Sequence, residues 1–253
     1  MTELATTQQQ KQFKILLIGD NCKDIYQYGT IDRLSPEAPV PVFVPTRTEE
    51  RDGMAGNVAN NLEALGCHVN YLHGETSTKT RIIDARSKQQ IVRIDNDVKS
   101  TPLTFETAIP DVYDAIVVSD YNKGTVSYEL IEELIALSIP IFIDTKKTDL
   151  ERMQGAWVKI NDLEYSKITS ECSGLIVTHG SNGASVIHHG IICPAPNVEV
   201  SDVTGAGDTF LSALVVKYLI TLNIRNAVEF AIQASAVTVQ HLGVYAPTLE
   251  EIK

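Results

Sequence analysis

Basic residues are scarce in this chain of 253 residues: 21 Lys and Arg stand against 32 Asp and Glu, for a formal net charge of −11 and a pI of about 5.0. With no surplus of positive charge to neutralise phosphates, the composition argues against a general nucleic-acid binder. A small phosphorylated substrate needs only a few local cations and stays open. Long apolar runs are missing too, so no segment reaches membrane-spanning length. The four cysteines, Cys22, Cys67, Cys172 and Cys193, lie far apart with no CxxC pair, which leaves a zinc site and a disulfide framework without support. The first residues, MTELATTQQQKQ, lack the apolar core of a signal peptide. They read as a disordered tail over 1–12, and a cytoplasmic location follows as the expectation. No GxxxxGK[ST] phosphate loop occurs, and no GxGxxG follows the first apolar run.

What is present is an alternation. FKILLIGD (13–20) reads as a buried strand that ends in Gly19-Asp20. PEAPVPVFVP carries prolines at 36, 39, 41 and 45, which suit only an edge or protruding strand. NVANNLEALG (57–66) places Val58, Ala59, Leu62 and Leu65 on one helical face, with Gly66 as the stop. TRIIDA (80–85) and QIVRID (90–95) read as a hairpin. From residue 114 onward, DAIVVSD, IPIFIDT, AWVKIN and GLIVTHG are apolar strands, with the helix VSYELIEELIALS after the first. GASVIHH is expected to pair antiparallel, and helices are expected at about 207–222 and 225–241. That rhythm predicts an α/β fold with a mostly parallel sheet covered on both faces, and a small β appendage from the early strands.

One stretch carries chemistry: DVTGAGDTF, residues 202–210. A Gly-Ala-Gly turn into a helix exposes unpaired N–H groups and the positive end of the helix dipole. Glycine allows positive φ and close backbone approach. Such a turn can hold a phosphate or a developing negative charge. Asp208 at its rim is expected to be kept ionised by the same dipole and to act as general base toward a hydroxyl, an arrangement suited to phosphoryl transfer. By itself the pattern fits equally a helix N-terminus in which Asp208 only complements the dipole.

DVTGAGDTF resembles the C-terminal signature of the ribokinase-like (PfkB) carbohydrate kinases. GDNCKDIYQYGTIDRLSPEAPVPVF, RDGMAGNVANNLEALG, SDYNKG (119–124) and DTKKTD (144–149) further resemble the kinase domain of bacterial heptose-7-phosphate kinases, the N-terminal half of bifunctional ADP-heptose synthases. The likeness spans nearly all of 13–252. It implies a three-layer ribokinase-like domain over 13–253 with a β lid from about 28–46 and 79–95. The implied activity is ATP-dependent, Mg²⁺-assisted phosphorylation of a sugar hydroxyl: a heptose 7-phosphate at its anomeric position, or another sugar. The same fold could also serve as a catalytically weak nucleotide- or sugar-binding protein. The resemblance makes Asp208 the base and Gly205, Ala206 and Gly207 the anion hole. Asn161 and Glu164 match the NxxE element that organises the Mg²⁺-phosphate cluster, with Glu164 acting on the metal indirectly. Thr178 and Gly180 match the nucleotide edge. Asp20, Asp24, Gly53 and Asn57 match sugar-binding positions. Arg93 and Lys123, with Arg33 and Lys146, are the cations in family-like contexts. A homodimer through the β lid is the implied partner, and neither nucleic acid nor membrane is.

Two departures fall on the sugar side. Met54 stands where the family has a second glycine. After HVNYLHG (68–74) the chain runs almost at once into Thr78-Lys79-Thr80-Arg81. About one helix-plus-strand unit is missing there, which is expected to shorten the sheet edge or open the site. No counterpart of the adenylyltransferase half is present, so the implied step is the kinase step alone.

Overall fold

The first apolar run does not stop at Asp20. In the computed structural model, which describes residues 12–104 and 113–252, it continues as one strand, β1 (Lys14–Leu34). Its first half is buried and its second half is mixed and half-exposed. The expected tail over 1–12 lies outside the described residues except for Gln12. β2 (Pro41–Met54) pairs with β1 alone, antiparallel, as its prolines require. α1 (Ala55–Ala64) begins two residues earlier than the apolar periodicity suggests, with Met54 as its N-cap and Gly66 at φ 86 just past its end.

β3 (His68–Asp84) runs parallel to β1 along almost its whole length, then turns into β4 (Gln90–Asn96), antiparallel. Here the missing unit is explained. Gly19 pairs with His73 and Asn21 with Thr76, so Gly74 and Glu75 stand opposite Asp20 alone. That is a β-bulge, one extra residue that bends the strand. A single bulged strand thus does the work of two strands and a connecting helix. Gly74 is tucked against Ser100 and Thr125, where a Cβ would lie 2.5 and 2.8 Å from their hydroxyls. The Glu75 amide donates to Ser100 Oγ at 2.8 Å.

The second half follows the expected alternation: β5 (Ala115–Asp120), α2 (Tyr128–Ile135), β6 (Ile141–Thr145), β7 (Trp157–Asn161), α3 (Asp162–Tyr165), β8 (Gly174–Thr178), β9 (Ala184–Val186), β10 (Ile191–Cys193), α4 (Ala206–Thr221) and α5 (Ile224–Thr238). The sheet order is β10-β9-β8-β7-β6-β5-β1-β3-β4, parallel from β8 to β3, with β2 beside β1. β9 pairs antiparallel with β8, as expected. His188 and His189 close a 3₁₀ turn rather than a strand.

Alternation along the strands splits the core in two. Ile15, Leu17, Val117 and Phe142 face α1, α4 and α5; Leu16, Ile18, Val118 and Ile143 face α2. Each fully buried Leu, Ile or Phe contributes about 1.5–3 kcal/mol relative to exposure, so this division holds three layers together. α4 is not amphipathic: every residue from Asp208 to Val216 is buried. It packs between α1 and α5 in its layer, and its first residues, Ala206 and Gly207, are half-buried. All four cysteines are free and buried.

Candidate active site

The start of α4 is built on Gly205, whose φ of 83 is the left-handed conformation glycine adopts without strain. A Cβ there would stand 2.9 Å from Asn57 Nδ2, and one on Gly207 would stand 2.9 Å from Lys159 Nζ. Both glycines therefore leave room for a polar side chain delivered from another element. The Ala206 amide donates to the Val203 carbonyl at 3.3 Å, within the turn. The amides of Gly207 and Asp208 donate to no chain acceptor among the described residues. They are the open donors.

Asp208 follows on the first turn, 7% exposed. Asn57 Nδ2 donates to its Oδ2 at 2.7 Å, and Tyr121 OH to its Oδ1 at 3.1 Å. Asn57 lies inside α1 rather than capping it, so its side chain is free for this contact. Behind it, Asn61 donates to the Asn57 carbonyl at 2.8 Å and accepts from Thr209 at 2.8 Å, and Thr238 donates to Thr209 at 3.0 Å. This buried polar ladder locks α1, α4 and α5 in register.

Burial, and not the helix dipole, is the largest influence on the Asp208 carboxyl. Burial pushes its carboxyl up to about 6 from an ordinary 3.8, and Asp144 adds to the rise; Asn57, Lys159 and Tyr121 only partly offset it. Tyr121 is held well above its ordinary range, first by the Asp208 charge and then by burial, so it remains a donor.

Lys159, on β7, is the residue that the pattern search missed. It is 5% exposed and its Nζ lies 2.6 Å from Asp144 Oδ2 on β6. Burial raises the proton affinity of Asp144. Burial also pulls the Lys159 ammonium down, but Asp144 outweighs that and holds it above its ordinary value. At this distance the proton stays on the amine, the stronger base. The result is a fixed ammonium against the open turn of α4. Lysine is almost never buried without a partner, so a lysine inside WVKIN was the available signal. Tyr121 had a weaker one, its place just beyond the C-terminal end of β5, where open parallel sheets bind ligands.

Asn161 and Glu164 form a reciprocal capping box on α3, at 2.9 Å in both directions. Glu164 also takes Lys146 Nζ at 3.2 Å, and Lys146 lies over the Tyr121 ring. These groups are brought to the site. Thr178 and Gly180 line a cavity of about 500 Å³ with Val198, Gly207, Phe210 and Val239, the size of a small-molecule site. His179 bridges Asp162 and Ser185 at 2.6 and 2.7 Å, joining α3 to β9 beside that cavity.

The sugar-side expectations fare unevenly. Asp20 is 1% exposed. Its oxygens accept from the amides of Tyr121 at 2.8 Å, Lys123 at 3.0 Å and Thr125 at 3.3 Å. It shapes the 121–125 turn, so its oxygens are engaged first by backbone donors. Lys123 Nζ is tied to Asp97 at 2.6 Å. Arg93 is held by Asp95 on its own strand, at 2.8 and 2.9 Å. Arg33 stands exposed at the far end of β1. Asp24 pairs with Arg81 and presses on Gly53, where no Cβ would fit. Met54 takes φ 52 and ψ −131, backbone space that glycine occupies freely and other residues reach at about 1–3 kcal/mol. The glycine usual at this position avoids that strain.

Residues 140–252 match the pfkB family of carbohydrate kinases. The bifunctional protein HldE of Helicobacter pylori is 33% identical over 304 aligned positions, which cover 94% of this chain and 66% of that protein. HldE of Nitratiruptor sp. is 34% identical over 300 positions, covering 95% and 64%. The chain thus spans 64 to 66% of the length of these curated relatives. With 304 positions set against 94% of 253 residues, about 65 positions of the Helicobacter protein have no counterpart here. Among solved structures, a ribokinase from Thermotoga maritima superimposes with a TM-score of 0.71 at 17% identity, covering 95% of this chain and 98% of that one. Arabidopsis thaliana ribokinase complexed with ribose and ATP gives 0.70 at 14%, covering 96% and 98%.

Proposed function

We propose that this chain, a sugar kinase of ribokinase-like fold whose residues 140–252 match the pfkB family of carbohydrate kinases, phosphorylates the anomeric hydroxyl of D-glycero-D-manno-heptose 7-phosphate with ATP, giving the 1,7-bisphosphate. The observation that carries the reading is Asp208: a buried carboxylate raised to about 6, held by two neutral donors at the open end of a helix. The HldE relatives and the SPEAPVP segment support the heptose assignment.

In the proposed step Asp208 accepts the proton of the anomeric hydroxyl as its oxygen bonds to the γ-phosphorus. The bond from that phosphorus to the bridging oxygen breaks, and ADP leaves with the electron pair. A base near its operating pH holds enough ionised form and enough basicity for this transfer. The Gly207 and Asp208 amides and the Lys159 ammonium stand where charge on the transferred group can be stabilised. The cavity beside Thr178 and Gly180 takes the nucleotide.

No group of three His, Cys, Asp or Glu side chains gathers among the described residues. The Glu164 carboxylate, oriented by Asn161 and Lys146, would act on a nucleotide-borne Mg²⁺ indirectly. When bound, Mg²⁺ supplies charge neutralisation on those phosphates. The exposed Val44, Val92 and Ile94 on β2 and β4 support a homodimer through this region, and a cytoplasmic location completes the proposal.

A second reading, a kinase for a different sugar, is favoured by one observation: both changes on this chain, Met54 and the Gly74–Glu75 bulge, lie at the sugar end. Incubation with Mg-ATP and a panel of sugars and sugar phosphates, following ADP release, separates the two. Turnover highest with heptose 7-phosphate is expected. Turnover confined to another sugar selects the second reading, and none on any member sinks both.

A further inference from the structure

Asn161, at the head of α3, is bracketed from one place. It pairs in register with Thr178 at the end of β8. Thr178 Oγ1 donates to the carbonyl of Ile160, the residue before Asn161, at 3.3 Å. The next residue after β8, His179, places its Nδ1 2.6 Å from Oδ1 of Asp162, the residue after Asn161. Its other ring nitrogen, Nε2, lies 2.7 Å from Ser185 Oγ on β9. A carboxylate only accepts, so Nδ1 donates to Asp162, and in the neutral ring Nε2 takes the serine hydroxyl.

The backbone of His179 is as fixed as its ring. Its amide donates to the Gly183 carbonyl at 2.7 Å, and its carbonyl accepts from the Asn182 amide at 3.0 Å. All four of its polar groups are therefore engaged. The turn is tight: Gly183 stands at φ 95, and a Cβ there would lie 2.0 Å from the Cys193 carbonyl oxygen. Thr178, Gly180, Ser181 and Gly183, on either side of His179, line the cavity of about 500 Å³. α3, by contrast, has little of its own to hold it. It is a single turn that buries none of its residues, and Leu163 is 64% exposed. A short helix without a buried face owes its place to tertiary ties. Tyr165 OH donates to Glu171 at 3.0 Å, Lys146 pairs with Glu164 at 3.2 Å, and His179 holds Asp162. The last of these starts at the rim of the cavity.

We propose that His179 is a positioning residue: a strut from the rim of the nucleotide cavity to α3, which sets the Asn161–Glu164 turn and with it the hold on the phosphate end of a magnesium nucleotide. The inference rests on the nucleotide reading of that cavity and of Glu164, and adds how the two are joined. A ligand in the cavity bears on residues 178–183. Through His179 the same rim fixes the direction of Asp162, two residues before Glu164. Without the imidazole, Asp162 is free to turn into solvent, and Glu164 keeps only its capping box and Lys146. A ligand that fills the cavity but carries no phosphate does not sense this loss.

The test measures calorimetric affinities for adenosine, and for ATP with and without Mg²⁺, with no sugar present. It compares wild type, His179→Ala, Asp162→Ala, Glu164→Gln and the double variant His179→Ala/Glu164→Gln. The Asp162 side chain is 63% exposed, so its truncation breaks the same tie from the surface and spares the fold. His179→Ala and Asp162→Ala are each expected to weaken Mg-ATP about tenfold, the worth of one charge-assisted hydrogen bond at its weaker end. Adenosine should shift by less than about twofold. In the Glu164→Gln background, His179→Ala should cost no more than about twofold, because the strut then has nothing to position. His179→Asn, whose amide can donate to Asp162 in place of Nδ1, should recover most of the loss. Equal losses for adenosine and Mg-ATP would make His179 a wall of the cavity and overturn the strut. So would an undiminished effect in the Glu164→Gln background, or truncated variants that bind Mg-ATP as wild type does. Failure of the kinase reading looks different. A wild type that shows this coupling yet phosphorylates no sugar sinks the kinase and leaves the strut. Sugar turnover and Mg-ATP binding indifferent to both truncations keep the kinase and remove the strut, and a wild type that binds no Mg-ATP overturns both.

Discussion

The two ends of the site are made in different ways. The end proposed for the nucleotide is a short run of chain at the start of α4, with β7 and β8 beside it and with Asp208, Thr209, Phe210 and Lys159 buried. The sugar end hangs on two strands, β1 and β3, that leave the sheet and carry their side chains half into solvent. At the first end the side-chain charges are paired, Lys159 with Asp144 and Lys146 with Glu164, while the Gly207 and Asp208 amides stay open. At the second, β3 bulges past Asp20 and charged side chains of both signs share one half-exposed face. A phosphoryl group is the same for every sugar, so the first end has one problem to solve; the second must fit whichever acceptor the chain has come to use.

The largest effect that separates the ends is expected from Asp208→Asn. Turnover should fall about 10³-fold or more, with the Kd for ATP within about twofold, measured by steady-state kinetics and calorimetry. Retained turnover would sink the base assignment. The same residue sets the pH profile: with the carboxyl at about 6, kcat should decline as pH falls through 6, because the base is then protonated. Stability moves the other way. The folded value lies above the unfolded 3.8, so ionising Asp208 in the fold destabilises it, fully above pH 6 and not at all well below 3.8. Asp208→Asn should therefore raise the Tm at pH 7, by a gain on the order of 1–3 kcal/mol, and leave it unchanged near pH 3.

Lys159→Met comes next. It should lower kcat about 10²-fold through loss of a fixed positive charge. It should also destabilise the fold, by about 3–5 kcal/mol, because Asp144 is left without a counterion. Pairing it with Asp144→Asn should recover the stability and not the rate. Recovery of both would make Lys159 a structural lysine only. The smallest effect is expected at the other end. Gly53→Ala must displace Asp24, and so should raise the sugar KM about tenfold while leaving ATP binding alone, since about 1.4 kcal/mol of lost positioning is a factor of ten. A change in ATP affinity there would show that the two ends are not separable.

Much of this was legible in the chain. The alternation after residue 114 marks the parallel sheet because buried strands need unbroken apolar runs. The prolines in PEAPVPVFVP mark an edge because they cannot donate to a second neighbour. DVTGAGDTF marks a helix opening on two glycines, and Gly205 does adopt the positive φ that only such a residue takes freely. The backbone role of Asp20 was not legible: an acid at the end of a strand looks the same whether it faces a ligand or its own backbone. The abrupt passage from Gly74 to Thr78 showed that something was missing, but not that β3 would bridge the gap by bulging past Asp20. Pairing register depends on a partner strand some 50 residues away.

Local pattern by itself determined the order of the elements, the edge character of β2 and the turn that opens α4, since each follows from side-chain period or backbone freedom within a few residues. The protonation of Asp208, the pairing of Lys159 with Asp144 and the tie of His179 to Asp162 were decided only by the tertiary structure. Desolvation and Coulomb energy depend on everything within several ångströms, and what lies there is supplied by strands and helices distant in sequence.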